Sequence, residues 1–358
     1  MIPTPTTRAV IDPLRKCPLR CRACYYLHGD MQSIKSWPQV RDEINAAKAR
    51  GNNCCDVTGG EPLVYPPLTE LVRYCNKVGL PARVITSLIG TKDHVAKLLD
   101  AGIPGWLISI HGLEPTHDAY VNMRGARKRQ EAELALIAGR ATVDVNCVMT
   151  SMNQGELADI ARYLIDQAWR PRIVNFIQFN PHHQWKQHPD TQALVADLDV
   201  VEPQLNEAIG ILETADTAVN VRYYPMCRIA ERYRRCVCND LHVVFDAGEW
   251  DYDIQPKTVD AFHRYAEQLS ARTEEKGEPC RSCDLQNICG GANKWWHLAN
   301  TAARGEQLRP QRIDGVADYD DVYHYRYANE RGMAVTRVQS KSRPSAPRRT
   351  TTCLAKPD

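Results

Sequence analysis

Residues 53–79 read NCCDVTGGEPLVYPPLTELVRYCNKVG. Asn53 to Val57 reads as a strand, and Thr58-Gly59-Gly60-Glu61-Pro62 ends it. Leu68, Leu71, Val72, Cys75 and Val78 then recur at helical spacing until Gly79 stops the helix. This is one complete β-turn-α step, and the step repeats in both directions. Upstream, residues 7–12 read as a strand and 38–50 as a helix, with Pro38 in its first turn and Gly51 as its stop. Downstream, strands are expected at 83–85, 106–110, 143–149 and 173–179. Helices are expected at 92–101, 130–138 and 156–168. About six such steps predict an α/β protein whose parallel sheet is covered by helices. An open doubly wound sheet and a barrel both fit this pattern. In either, active residues belong at the carboxyl ends of the strands.

The chain has 358 residues, enough for one large domain and a smaller one. Its net charge of +2 points to no particular partner. No run of about 18 apolar residues is present, so no membrane span is expected. Met1-Ile2-Pro3-Thr4-Pro5 lacks the regions of a secretory signal, so a cytoplasmic location is expected. Fourteen cysteines without a secretory signal point to metal or redox chemistry.

Three of those cysteines, Cys17, Cys21 and Cys24, form a C-x3-C-x2-C triplet directly after the first strand. Three thiolates on one short loop can hold three corners of an iron–sulfur cubane and leave the fourth iron open to a small molecule. A zinc loop with a distant fourth ligand is the alternative. The triplet resembles the signature of radical S-adenosylmethionine enzymes. That resemblance implies a partial (β/α)6 barrel over residues 7–215. It also implies a [4Fe-4S] cluster whose open iron binds S-adenosyl-L-methionine, reductive cleavage to a 5′-deoxyadenosyl radical, and hydrogen abstraction from substrate. An external electron donor, flavodoxin- or ferredoxin-like, is implied with it. The position before the third cysteine is usually aromatic in that family and here is Ala23, which leaves Tyr25 or Tyr26 for the adenine contact.

Gly59-Gly60-Glu61-Pro62 is similar to the family's GGEP motif, which implies that Glu61 accepts from the cofactor's ammonium group. Ser109-Ile110-His111-Gly112 is similar to its S-x-H-G segment, and Thr116-His117-Asp118 and Arg124-Gly125 also fit. Ser109 and Asn146 are thereby cofactor-side candidates. Alternation on the sixth strand predicts Gln178 and Asn180 on an inward polar face, and residues 182–185 form a loop able to touch substrate. Cys54, Cys55, Cys75 and Cys147 read as core thiols.

A second group, Cys280-x2-Cys283-x5-Cys289, resembles the SPASM or twitch extension of radical enzymes. Asn293 stands where the longer pattern has a further cysteine, so one auxiliary [4Fe-4S] cluster is implied. Its fourth ligand would be Cys227, with Cys236 and Cys238 as competitors and a structural zinc site as the alternative. The extension is expected over 216–300, followed by a further segment to 334 and a disordered basic tail at 335–358. The second unit, with Glu249-Trp250-Asp251, is also similar to radical enzymes of DNA viruses. That likeness implies isomerase chemistry on an amino-acid-decorated thymidine nucleotide. Peptide modification is the alternative substrate class. A non-enzymatic iron–sulfur or zinc protein is the alternative of another kind.

Overall fold

A computed structural model describes residues 8–24, 31–49, 51–90, 93–181, 192–238, 274–286, 289–305 and 310–315. Tyr25, Tyr26, the loop at 182–185, Glu249-Trp250-Asp251, the Cys238 side chain and the basic tail lie outside this description.

The elements alternate as the sequence predicts. They are β1 (Arg8–Ile11), α1 (Trp37–Ala49), β2 (Cys54–Val57), α2 (Leu68–Val78), β3 (Ala82–Thr86), α3 (His94–Asp100), β4 (Gly105–Ser109), α4 (Thr116–Val121), α5 (Ala126–Ile137), β5 (Thr142–Met149), α6 (Leu157–Ile165) and β6 (Ile173–Gln178). Then follow α7 (Leu198–Thr214), β7 (Ala218–Arg222) and β8 (Val237–Cys238). The strands lie in chain order β1 to β8 and every pairing between neighbours is parallel. The sheet curls into a half-barrel, which decides between the two architectures left open above. It also runs past residue 215, because β7 pairs with β6 and β8 with β7. A small antiparallel pair, β9 (Glu274–Glu275) and β10 (Ala292–Asn293), precedes α8 (Lys294–Arg304).

The quoted stretch behaves as its pattern requires. Leu68, Leu71, Val72 and Cys75 are the buried stripe of α2, and Gly79 closes the helix in the left-handed conformation at φ 69°. The helix α7 begins at Leu198, where the Asp197 side chain caps it. Pro203 therefore sits inside the helix, and its missing N–H falls opposite the Asp199 carbonyl.

The two faces of the sheet differ in chemistry. Ala9, Val57, Val84, Trp106, Ile108, Val145, Val174, Phe176, Val219 and Val221 belong to the apolar core shared with the helices. Strand alternation turns Asp56, Arg83, Asp144, Asn146, Asn175 and Asn220 to the opposite, inner face. Deep in that face runs a chain of ion pairs. Arg8 bonds Asp56 at 2.5 Å, Asp56 bonds Arg83 at 2.7 Å, Arg83 bonds Asp144 at 2.6 Å, and Arg172 closes on Asp144 at 3.1 Å. Burial alone would lower the Arg83 pKa, but the flanking carboxylates outweigh it and raise it. A charge this deep is tolerated only because it is paired on both sides. Gln178 shares the face of Val174 and Phe176, not the inner one, and both its polar atoms are buried without a partner. Asn175 is the inward polar residue of β6, so the phase of alternation expected there is corrected by one position.

Candidate active site

The cluster loop follows β1 and is held from below. Gly60 N–H donates to the Leu14 carbonyl at 2.8 Å, and Glu61 N–H donates to the Lys16 carbonyl at 3.0 Å. The contact is so close that side chains have no room. A Cβ on Gly59 would lie 2.1 Å from Asp12 Oδ1, and one on Gly60 would lie 2.2 Å from the Lys16 carbonyl oxygen. Gly59 also has φ +114°, which only glycine adopts without strain. The two glycines thus let the second strand's rim press against the backbone that leads into Cys17.

From the other side, the loop leans on the end of α4. Arg20 N–H and Arg22 N–H donate to the carbonyls of Val121 and Tyr120, at 3.3 and 3.0 Å. Cys17 and Cys21 pack against a small apolar group of Leu19, Ile89, Tyr120, Val121 and Ala126. Ala23, Val148 and Met152 also pack against that group and against Phe179 and Leu194. The Cys17 thiol is pushed up to about 12 by burial, and burial raises Cys21 further, with Cys24 and Cys17 adding to it. Such thiols keep their protons until a metal displaces them, as cluster ligands do. Among the described residues no three His, Cys, Asp or Glu side chains converge closely enough for a single ion. The fit to a cluster rests instead on the donor set: three thiols on one pinned loop at a strand's carboxyl end.

Glu61 is almost fully buried. Its carboxylate accepts from Leu63 N–H at 3.1 Å, from Ser87 N–H at 2.9 Å and from the Thr86 hydroxyl. Burial pushes its pKa up to about 7 against these donors. In this state the carboxylate ties the rim of β2 to that of β3.

Ser109 ends β4, half-buried, and stands in register with Asn146 on β5. The structure therefore brings these two candidates side by side on the inner face. Several supports carry no sequence signal. Gln130 on α5 donates to the carbonyls of Ser87 and Ser109, at 3.1 and 2.9 Å, and so clamps two strand ends. Asn153 donates to the carbonyls of His111 and Val148, both at 2.8 Å. His111 stacks on Tyr120 at 4.2 Å and accepts from Val148 N–H at Nδ1, which leaves the proton on Nε2. Burial lowers both His111 and His117 to about 3, so both are neutral.

In the second cysteine group, Cys280 lies close enough to Cys227 to raise its pKa, as Cys227 does for Cys289 and Cys283 for Cys280. Burial is the larger cause in each case. Backbone N–H groups of Gly291 and Ile313 point at the sulfurs of Cys289 and Cys283, at 3.3 and 3.4 Å. Cys236 faces Glu213 instead, at 3.7 Å. Cys55, Cys75 and Cys147 are buried free thiols as expected, whereas Cys54 is buried but disulfide-bonded.

Residues 11–164 match the Radical SAM superfamily, and the chain carries a radical SAM domain. The PqqA peptide cyclase of Bradyrhizobium diazoefficiens is 29% identical over 309 residues, covering 78% of this chain and 79% of that protein. GTP 3′,8-cyclase 1 of Mycobacterium tuberculosis is 26% identical over 190 residues, covering 49% of this chain and about half of its own length, 52%. Among solved structures, Streptococcus suis SuiB bound to S-adenosylmethionine superposes with a TM-score of 0.57 at 15% identity, covering 87% of this chain and 77% of that one. The AdoMet-bound anSMEcpe gives 0.60 at 14% identity, covering 91% and 98%. These two show the shared fold. The family implies a [4Fe-4S] cluster and S-adenosylmethionine. Among the described residues no helix is long and apolar enough to cross a membrane.

Proposed function

We propose that this chain is a radical S-adenosylmethionine enzyme that modifies a peptide. The observation that carries the substrate class is the extent of the likeness. The PqqA peptide cyclase of Bradyrhizobium diazoefficiens matches 78% of the chain, more than the barrel alone, whereas GTP 3′,8-cyclases match from 49% of it (Mycobacterium tuberculosis) to 62% (Pseudomonas putida). SuiB, which shares the fold, has been solved with the precursor peptide SuiA. The thymidine rearrangement finds no support among these relatives.

Cys17, Cys21 and Cys24 would hold the cluster, and Ser109, Asn146 and the Gly59-Gly60-Glu61 turn would border the cofactor. When bound, the cluster and S-adenosylmethionine supply reductive cleavage and a hydrogen-abstracting radical. The chain's own work is to pin the loop, to half-bury the thiols and to keep His111 and His117 uncharged. Cys227, Cys280, Cys283 and Cys289 would hold the auxiliary cluster; the nearness of Cys227 to Cys280 and Cys289, while Cys236 faces Glu213, favours Cys227 as the fourth ligand. Lys16, Arg20 and Arg22 on the loop and Arg124 on the turn after α4 are exposed, and none has a carboxylate partner among the described residues. They would receive an acidic electron donor of the flavodoxin or ferredoxin kind by charge attraction.

The test is anaerobic reconstitution with iron and sulfide, then dithionite and S-adenosylmethionine. Peptides encoded beside the gene are supplied in one arm and GTP or thymidine nucleotides in the other. 5′-Deoxyadenosine should form together with a mass change in a peptide. Formation coupled to a nucleotide alone would overturn the peptide reading; bound zinc with no deoxyadenosine at all would overturn the enzyme.

A further inference from the structure

The inner face of the half-barrel carries one rung of matched polar residues. Register sets Ser109 beside Asn146, Asn146 beside Asn175, and Asn175 beside Asn220, across four consecutive strands. Asn175 and Asn220 are 0% and 1% exposed, whereas Asn146 is half-buried. Buried amides are costly unless hydrogen-bonded. Each is bonded to the next, in one direction only, and the far end of the row, Asn220 Oδ1, is left buried without a partner.

Asn175 Nδ2 donates to the Val145 carbonyl at 3.2 Å and to Asn146 Oδ1 at 2.8 Å. Asn220 Nδ2 donates to Asn175 Oδ1 at 3.1 Å. The two ends of an amide have nearly the same shape, so partners must decide which is which. A backbone carbonyl accepts and never donates. Val145 therefore fixes the nitrogen end of Asn175, and through it both neighbours. Asn146 has to turn its oxygen toward Asn175. Its own Nδ2 is left over, and no acceptor meets it among the described residues.

We propose that Asn175 and Asn220 are positioning residues that lock Asn146 as a hydrogen-bond donor facing the half-barrel, toward an acceptor oxygen of S-adenosylmethionine. The proposal rests on the function argued above and on Asn146 bordering the cofactor. A free amide would sample two orientations, one of which sets oxygen against oxygen. The relay removes that one. It needs two residues remote from the ligand because a single flip of Asn175 would reverse Asn146.

The test reads cofactor binding to the reconstituted full chain, by titration calorimetry and by the change in the cluster's electron paramagnetic resonance signal. No turnover is needed. Asn146→Ala and Asn175→Ala should each raise the dissociation constant about tenfold, the worth of one neutral hydrogen bond. The double variant should bind no more weakly than Asn146→Ala alone, because Asn175 acts through Asn146. Asn175→Asp keeps the shape but accepts only, so it should turn Asn146 round and weaken binding at least as much. Should Asn175→Ala fail to fold, Asn220→Ala tests the same relay, with a smaller loss that vanishes in the Asn146→Ala background. Additive losses in the double variant would mean a merely structural role and overturn the proposal. Wild-type affinity in Asn146→Ala would overturn it too. A wild-type protein that binds a cluster but no S-adenosylmethionine would bring down the functional reading and this relay with it.

Discussion

Gly60→Ala should cost the protein its first cluster while leaving the fold standing. The new Cβ would meet the Lys16 carbonyl oxygen at 2.2 Å and that of Arg15 at 2.6 Å, where ordinary contact begins at about 3.4 Å. Both obstacles are backbone, which cannot swing aside like a side-chain tip. The segment leading into Cys17 has to retreat by about 1.2 Å. That retreat breaks or lengthens the bonds from Gly60 N–H and Glu61 N–H to the loop. Overpacking costs about 1–3 kcal/mol and each lost hydrogen bond about 1 kcal/mol, so the loop loses about 3–5 kcal/mol. A drop in melting temperature on the order of 10 °C follows for a domain of this size. A thiol displaced by this much no longer lies at its corner of a rigid cubane. The assay is iron content and visible absorbance after anaerobic reconstitution, with circular dichroism as the check on folding. Gly155→Ala is the control, since a Cβ there meets nothing within 4 Å. The reasoning is refuted if Gly60→Ala binds iron like the wild type and melts within about 1 °C of it.

Arg83→Leu should destabilise the half-barrel by about 3–5 kcal/mol, because Asp56 and Asp144 are left buried without their central partner; chemical denaturation measures it. His111 and His117 have folded pKa values lowered to about 3, so the stability they contribute is present above about pH 6.5 and is lost as pH falls toward 3. Glu61, raised to about 7, acts in the opposite sense and destabilises as pH rises from 4.5. His117→Gln should therefore flatten the acid limb of a melting-temperature profile, and an unchanged slope would contradict its neutral burial. Lys16→Glu with Arg22→Glu should slow turnover driven by a flavodoxin severalfold and leave dithionite-driven turnover unchanged, as read by 5′-deoxyadenosine release at low salt.

The helix-facing half of the fold is legible in the sequence because it is written in one chemistry. Leu68, Leu71, Val72 and Cys75 on α2, or Val174 and Phe176 on β6, announce burial and period together. The inner half is not, because its residues are the polar types that equally fill surfaces. Asp56, Arg83 and Asp144 become recognisable only once curvature stacks β2, β3 and β5 around one interior. The same ambiguity shifts β6 by a position: Gln178 looks like the inward polar residue until the register assigns that face to Asn175. At the candidate site, Cys17, Cys21, Cys24 and the Gly59-Gly60-Glu61 turn stand out by spacing alone. Gln130, Asn153 and the Tyr120 carbonyl do not, since what they do is done to backbone atoms of distant segments.

The chain-order sheet sets a timetable for synthesis. Each strand pairs with the one just before it, so the half-barrel can grow as the polypeptide emerges, without waiting for a distant partner. The lower clamp on the cysteine loop is complete once Glu61 is made, and the upper one once Val121 follows. At about 5–20 residues per second the interval between them lasts about 3–12 s. During that window the three thiols are gathered but still uncovered on the α4 side. Iron delivery timed to the growing chain would find an open socket there, whereas delivery to the finished protein would meet Cys17 and Cys21 already packed against the Tyr120 group.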